Sequence, residues 1–361
     1  MKVLHVTRGS NFASQENGRG GLERAVSELV AAQVQYGLDA EVISIGQDVL
    51  SLAGERILAN QWSDLPKVVS GKWEYSNPDI LHAHDWYAAP VAQYFYAKGL
   101  RSIVATAHLP VRRGFTYRDT GLSWQAKARL EHRLFDVVAK VVAPSSMVAT
   151  FLSQEYGIHS DRIAIIPHGV NSVLFQPAAN QARSEGDFHI LAVGRITEQK
   201  GIEILIRAFA TVRNALPNVT LRVIGEGDRL EACKRLVAKL DLSHVVFFEP
   251  FAGDMTLVDA YQSANLLVMP SLFEPFGLVG LEAMACGCPV LSIGPTGASY
   301  LDPDEVTPDF SPPRLANAIL RRISAQPGKV KARQALRDRA LNWSWTNAAA
   351  KTAKLYEQLC P

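Results

Sequence analysis

The chain has 361 residues, 48% apolar and 20% charged, with 37 basic against 35 acidic side chains and a net charge of +2. This is the composition of an ordinary globular protein, long enough for two domains. It argues against nucleic acid as a partner, and no apolar run reaches membrane-spanning length.

Strand-like and helix-like runs alternate from end to end, which calls for parallel sheets with helices on both faces. The first half reads strand 2–7, helix 21–36, strands 40–45 and 79–83, helix 86–98, strand 102–106, helix 123–137, strand 140–143, helix 146–156 and strand 163–166. The opening Lys2-Val3-Leu4-His5-Val6-Thr7-Arg8 is expected to be a strand and not a secretory leader. Helix 21–36 places Leu22, Ala25, Val26, Leu29, Val30 and Val34 at amphipathic spacing. Residues 171–187 are polar and aperiodic. The pattern then restarts with strand 188–193, helix 201–215, strand 219–224, helix 229–240, strand 245–248, helix 255–263, strand 265–269, helix 277–286 and strand 289–292, then helices 312–324, 329–342 and 345–359. The expected fold class is α/β, with two doubly wound Rossmann-like domains facing across a cleft that holds the site. The expected boundaries are 1–172, a linker at 173–187, 188–344, and a helix at 345–361 that crosses back to the first domain. Trp343 and Trp345 at the start of that helix need a surface to pack on.

The most informative stretch is 270–290, Pro-Ser-Leu-Phe-Glu-Pro-Phe-Gly-Leu-Val-Gly-Leu-Glu-Ala-Met-Ala-Cys-Gly-Cys-Pro-Val. A strand ends, Glu274 follows in a loop, and a helix starts near Phe276 or Gly277, with Pro275 suited to the turn into it. Glu282 lies about one turn into that helix, and Gly287 and Pro289 close it. Phe276, Gly277 and Leu278 thus form a helix N-terminus whose free N–H groups favour an anion such as phosphate. Carboxylates there suit sugar or ribose hydroxyl groups.

In Gly194-Arg195-Ile196-Thr197-Glu198-Gln199-Lys200-Gly201, two cations flank a turn after a strand, a grip for a diphosphate. Gly225 lies in a tight turn that could meet a nucleotide through its backbone. Gly18-Arg19-Gly20-Gly21-Leu22-Glu23 lacks the third glycine of a dinucleotide fingerprint, and no acidic residue closes the second strand, so Gly20 and Gly21 read as a turn that lets a ligand approach the backbone. In His82-Ala-His84-Asp85-Trp86 the spacing is wrong for a metal site and no partner His is obvious, so His84 and Asp85 are expected to line the cleft or cap a helix. His108 closes a strand as a candidate active-site residue. Residues 108–133 carry Arg112, Arg113, Arg118, Lys127, Arg129 and Arg133 among aromatic residues. They are a solvated face, a receiver for an anionic acceptor, or a peripheral membrane contact. Cys233, Cys286, Cys288 and Cys360 form no C-x-x-C and read as packing thiols in a reducing compartment.

Taken together, these motifs resemble glycosyltransferase family 4, the retaining enzymes of the two-domain B-type fold. Glu274 and Glu282 match its paired-glutamate motif, Gly194-Arg195 with Lys200-Gly201 its phosphate grip, and Gly20-Gly21-x-Glu23 its first glycine loop. Asp79-Ile-x-His82-Ala-His84 and Ile165-Ile-Pro-His-Gly169-Val-Asn171 also fit, so nearly the whole chain is covered. The resemblance implies an N-terminal acceptor domain and a C-terminal donor domain. The implied reaction is hexosyl transfer from a nucleotide-diphosphate sugar to a hydroxyl acceptor with retention, without metal or cofactor, and with domain closure. Arg195 and Lys200 would hold the diphosphate, Glu282 the ribose, and Glu274 the sugar ring. Gly20 and Gly21 would lie against phosphate and acceptor, and His108 beside the reacting sugar, with His84, Arg112 and Arg113 on the acceptor side. A cytoplasmic enzyme, with 108–133 touching the inner face of the membrane, is the expected setting. The rival readings are a nucleotide-sugar epimerase or hydrolase on the same fold, and a non-catalytic nucleotide-sugar binder. One departure stands out. Ser292-Ile-Gly294-Pro-Thr-Gly297-Ala298 leads directly to Asp302, shorter than the family's return beside the donor sugar.

Overall fold

The computed structural model describes residues 1–8, 20–45, 77–113, 123–178, 187–251, 253–294, 296–302, 305–307, 310–325 and 330–360. The described chain divides into two units, one running to His168 and resuming at Trp345, the other spanning Gly169–Ser344.

Unit 1 is built on six parallel strands, β1 (Lys2–Arg8), β2 (Asp39–Ile45), β3 (Ile80–His84), β4 (Ile103–Thr106), β5 (Lys140–Ala143) and β6 (Ile163–Ile165), in the order β2-β1-β3-β4-β5-β6. Its helices are α1 (Gly21–Gln35), α2 (Ala89–Ala97), α3 (Trp124–Val137), α4 (Ser146–Tyr156) and the C-terminal α11 (Trp345–Glu357). α1 buries Leu22, Ala25, Val26 and Leu29, as its spacing requires, and it also buries Gln33. Thr352 and Tyr356 of α11 hydrogen-bond to that Gln33, so the last helix is part of unit 1. The local signals in α4 are plain. Ser145 Oγ accepts from Val148 N at the N-cap, and Gly157 closes the helix at φ 66°.

Unit 2 has a second six-stranded parallel sheet in the order β12-β11-β10-β7-β8-β9. The strands are β7 (Phe188–Val193), β8 (Val219–Ile224), β9 (Val246–Glu249), β10 (Leu266–Met269), β11 (Val290–Ile293) and β12 (Val306–Thr307). Between them run α5 (Ile202–Ala215), α6 (Leu230–Lys239), α7 (Asp254–Ser263), α8 (Leu278–Ala285), α9 (Pro312–Ser324) and α10 (Val330–Leu341). Read from the other edge, this is the dinucleotide-fold order, with the reversal between β7 and β10. One face of the sheet is covered by α5, where Leu205, Ile206, Phe209 and Val212 form a buried stripe.

The structure departs from the sequence expectations at several points. The segment expected as a linker from 173 contains Phe175, which is buried against Tyr261 with ring centroids 6.0 Å apart. Arg337 of α10 clamps this stretch by donating to the carbonyls of Ser172 and Phe175, and to that of Ala285 at the end of α8. The division between units therefore falls at His168/Gly169, before the expected 172. α8 begins at Leu278, because Gly277 sits in the left-handed region at φ 83°, and Pro275 lies in the preceding loop and not at the first helical position. Strand β12, only two residues long, falls below any periodicity signal. Both Trp find the surface they were expected to need: Trp343 packs on Phe276 and Tyr300 within unit 2, and Trp345 packs on His168 within unit 1.

Candidate active site

β7 and β10 are neighbours in the sheet but not in the chain, and the strand order reverses between them. A crevice opens outside the carboxyl ends of strands at such a point. The two loops leaving those ends, 194–201 and 270–277, are tied together. Leu272 N donates to Gln199 O at 2.7 Å, and the buried Gln199 side chain donates to Phe273 O at 3.0 Å. The approach is close enough to demand glycine: a Cβ on Gly201 would lie 2.0 Å from Pro270 O.

Across that junction Lys200 Nζ donates to Glu274 Oε2 at 2.7 Å, and Ser271 Oγ donates to the same oxygen at 2.8 Å. Glu274 is 5% exposed, while Lys200 keeps part of its surface in solvent. A carboxylate so buried is held by its partners, and losing one leaves an uncompensated charge. The segment after β11 backs this loop: Thr296 pairs with Glu274, and Gly297 N donates to Glu274 O at 2.6 Å. The shortened return is thus in direct contact with Glu274. Arg195 lies half-buried on the same loop as Lys200.

Glu282 is 3% exposed, and its Oε2 accepts from Tyr261 OH at 2.9 Å. α8 is buried over Gly280–Ala285, which fits its nearly continuous apolar sequence. Phe276 packs its ring on Tyr300 and Trp343 and is a core residue, so any ligand contact from it comes through backbone. Tyr300 donates to Gly277 O. Burial, with the Glu274 and Glu282 carboxylates nearby, raises its phenol far above the usual range and keeps it a donor. Gly225 has a structural reason to be glycine. It sits at φ 144°, where a Cβ would lie 2.0 Å from Gly194 O. The 225–228 turn thereby props up the start of the cationic loop.

In unit 1 the middle of β1, the second half of β3 and the loop after β4 carry a cluster that sequence reasoning saw only in part. His5 faces His82 in the β1–β3 register. His5 Nδ1 lies 2.9 Å from His84 Nε2, and His84 Nδ1 lies 2.9 Å from His108 Nε2. His108 stacks on His168 with ring centroids 5.1 Å apart. Burial holds His5 and His168 down to about 4, and it pushes His82, His84 and His108 well below the usual imidazole range, so all five are neutral. Ligand atoms of His5, His82 and His84 lie within 4.8 Å of one another, a group that could hold a metal ion, although every ring nitrogen of the three already has a hydrogen-bond partner.

His84 is fully buried, with one ring nitrogen on His5 and the other on His108. It stands behind His108 and cannot reach an acceptor. Asp85 does not use its carboxylate to cap the turn that follows. Oδ1 accepts from His108 N at 2.6 Å and Leu109 N at 3.3 Å, which fixes the loop carrying His108. Asp85 sits at φ 57°, a strained position for a non-glycine residue, and burial pushes its carboxyl up to about 7. Arg112 is turned away, with its guanidinium on Glu155 O and over the Tyr156 ring. The side chain of Arg113, and Arg118 with the rest of 114–122, lie outside the described residues, as do Gly18 and Arg19. Lys127, counted above with a basic surface, is buried with its ammonium 5.8 Å from the Trp86 ring centroid. Gly20 caps α1 without a side-chain bond, and a Cβ on Gly21 would meet nothing within 4 Å. The fold therefore gives Gly21 no steric reason to be glycine.

Gln33, Thr352 and Tyr356 were missed altogether. A signal for Gln33 was present, since it continues the buried stripe one turn beyond Leu29. His5 could have been found by laying its strand beside β3. Nothing local marks the two α11 residues, whose partner is 319 or more positions away.

Two parallel-sheet α/β units of this kind match the two-domain B-type fold of solved glycosyltransferase structures. Comparison with known proteins agrees. The family model described as Glycosyltransferase Family 4 matches residues 19–173, and the one described as Glycosyl transferases group 1 matches residues 177–343. The chain belongs to glycosyltransferase family 4 and is a glycosyltransferase. It is 29% identical over 316 residues to a D-inositol 3-phosphate glycosyltransferase of Pseudarthrobacter chlorophenolicus, covering 78% of this chain and 75% of that one. In structure it is similar to sucrose-phosphate synthase from Thermosynechococcus elongatus, with a TM-score of 0.80, 21% identity and 99% of each chain covered. It is also similar to HepE from Anabaena in complex with UDP-glucose, with a TM-score of 0.74, 18% identity, and 99% of this chain and 100% of that one covered. Among the described residues no helix is long and apolar enough to cross a membrane.

Proposed function

We propose that this glycosyltransferase moves a hexose-type sugar from a nucleoside-diphosphate sugar to a hydroxyl acceptor with retention at the anomeric carbon. The observation that carries this reading is the Lys200–Glu274 contact at the β7/β10 switch. In the free protein the ammonium and carboxylate hold each other in place. An entering diphosphate competes for Lys200, with Arg195 on the same loop as its second cation, and this frees Glu274 to accept from a sugar hydroxyl. Glu282 takes a ribose hydroxyl from its place beside Tyr261. The N–H groups at the start of α8 would meet the phosphate.

Hypothesis for the chemistry: the acceptor hydroxyl attacks on the face the diphosphate leaves. The bond from the anomeric carbon to the phosphate oxygen breaks as the new glycosidic bond forms, and the departing oxygen takes up the hydroxyl proton. Negative charge grows on the phosphate, and Lys200 and Arg195 would stabilise it there, so the protein contributes placement and electrostatics. Two cations in this role make a divalent metal dispensable, and turnover should survive EDTA. HepE, which binds UDP-glucose, supports a uridine donor, and the inositol 3-phosphate relatives support a phosphorylated polyol among the acceptors to be tried.

The test is incubation with a panel of nucleotide sugars and polyol or glycan acceptors, with products read by mass and anomeric configuration by NMR. A glycosylated acceptor of unchanged anomeric configuration is expected, with Glu274→Gln losing transfer more than nucleotide binding. Donor consumption without an acceptor product would indicate a hydrolase or epimerase, and tight binding with no turnover a non-catalytic binder.

A further inference from the structure

His5, His82, His84 and His108 of unit 1 belong to one hydrogen-bonded network whose proton positions can be worked out from its far end. Thr352 Oγ1 lies 3.0 Å from Ala348 O and 2.9 Å from Ala349 O of its own helix. Carbonyls only accept, so the single hydroxyl proton is directed there and the oxygen is left as an acceptor. Its remaining partner is Gln33 Nε2, at 3.0 Å, which must donate. That orients the amide. Its NH2 faces Thr352 and, at 3.1 Å, Tyr356 OH, and its Oε1 faces His5 Nε2 at 2.7 Å.

From there the order is forced. Gln33 Oε1 has no proton to give, so His5 carries its proton on Nε2 and leaves Nδ1 bare. His84 must then supply the proton between them from Nε2, which leaves its own Nδ1 bare. His108 must in turn supply the next proton from Nε2. The side branch obeys the same logic: Tyr356 OH, accepting from Gln33, donates to His82 Nδ1 at 2.5 Å, and His82 Nε2–H donates to Thr106 Oγ1 at 2.7 Å. Neutral imidazoles are the premise, and burial supplies it.

We propose that Gln33, oriented by Thr352 of the C-terminal helix, sets the tautomer of His108 through His5 and His84, so that His108 offers its bare Nδ1 as an acceptor to a substrate hydroxyl. Among the described residues Nδ1 of His108 makes no hydrogen bond of its own. Gln33 is then a positioning residue some three side chains from any ligand. The ligand chemistry follows: the sugar group that meets His108 must be a hydroxyl that donates, and a fluorine in its place will not serve. The contact with sugar rests on the function proposed above, whereas the tautomer does not.

The experiment is ring-nitrogen NMR on protein labelled with 15N-histidine, without ligand. His108 is expected with Nε2 protonated and Nδ1 bare in the wild type and in Thr352→Ser, which keeps the back-bonded hydroxyl. In Gln33→Met the Nδ1–H form of His108 should appear. In turnover assays Gln33→Met should lower kcat about five- to tenfold, roughly one hydrogen bond's worth, with nucleoside-diphosphate affinity unchanged. An Nδ1–H form of His108 in the wild type overturns the proposal, and that result does not depend on whether any variant folds. So does an unmoved His108 in folded Gln33→Met. Loss of the inter-imidazole bonds on adding stoichiometric Zn2+ overturns it as well and assigns the cluster to a metal. The expected tautomers with unchanged kcat would uphold the relay and remove His108 from the sugar site.

Discussion

The two units share one plan and fill it with opposite chemistry. Each is a six-stranded parallel sheet carrying a polar cluster, beyond the carboxyl ends of β7 and β10 in unit 2 and from the middle of β1 to the loop after β4 in unit 1. In unit 2 that cluster is charged: Lys200 on Glu274, at the edge of solvent. In unit 1 it is a buried array of neutral imidazoles, with Asp85 and Glu131, raised to about 7 and about 8 by burial, as the buried carboxyls beside it. Unit 2's own described histidines, His189 and His244, are exposed. One unit is suited to meet a charged ligand and the other to present hydrogen-bonding groups of fixed direction to an uncharged one. A diphosphate and a sugar hydroxyl differ in the same way.

The largest effect that would break this contrast is on turnover. Lys200→Ala should lower kcat by about two to three orders of magnitude, the usual cost of removing one preorganised charge stabiliser. It should also lower the melting temperature by a few degrees, because Glu274 keeps only Ser271. Steady-state kinetics with thermal melting check both.

Acidification should act on unit 1 first. His5, His82, His84, His108 and His168 have folded pKa values below the unfolded value of 6.5, so their contribution is complete above that pH and lost as pH falls toward 4. Asp85 and Glu131 have raised values. Their contribution is present below about 4 and lost as pH climbs to about 7 and about 8. Five groups oppose two below pH 6.5, so the unit should be most stable near neutrality. Amide exchange corrected for intrinsic rate should show β1, β3 and β4 opening by pH 5 while β7 and β10 stay protected.

Gly225→Ala should destabilise unit 2 by about 1–3 kcal/mol, since the new methyl meets Gly194 O. The denaturant midpoint measures this, and turnover should fall with it as the cationic loop shifts. The smallest stability effect belongs to Gly21→Ala. Open space at a helix start predicts a change within about 1 kcal/mol, in the stabilising direction. A clear loss of turnover in that folded variant would place ligand against its backbone.

The fold was largely legible in the sequence because alternating strand and helix periods repeat wherever burial repeats. The unit 2 site was legible for the same reason. Glu274, Lys200 and Arg195 sit just after strands, and strand ends can be read locally. The unit 1 candidate cluster was legible at His82, His84, Asp85 and His108, which also lie at or near strand ends. Its supporting residues are recruited across the fold: His5 by strand register, Gln33 by helix phase, and Thr352 and Tyr356 from the far end of the chain. Phe175 was misread because one aromatic residue in a polar stretch carries no period, although tertiary packing buries it.

The most direct test of the central claim is calorimetric titration of UDP into the wild type, Lys200→Ala and His108→Ala. The account predicts that Lys200→Ala loses about ten- to a hundredfold in affinity, as for a charge-assisted contact, while His108→Ala binds UDP like the wild type. Undiminished UDP binding by Lys200→Ala, or the larger loss in His108→Ala, would contradict it.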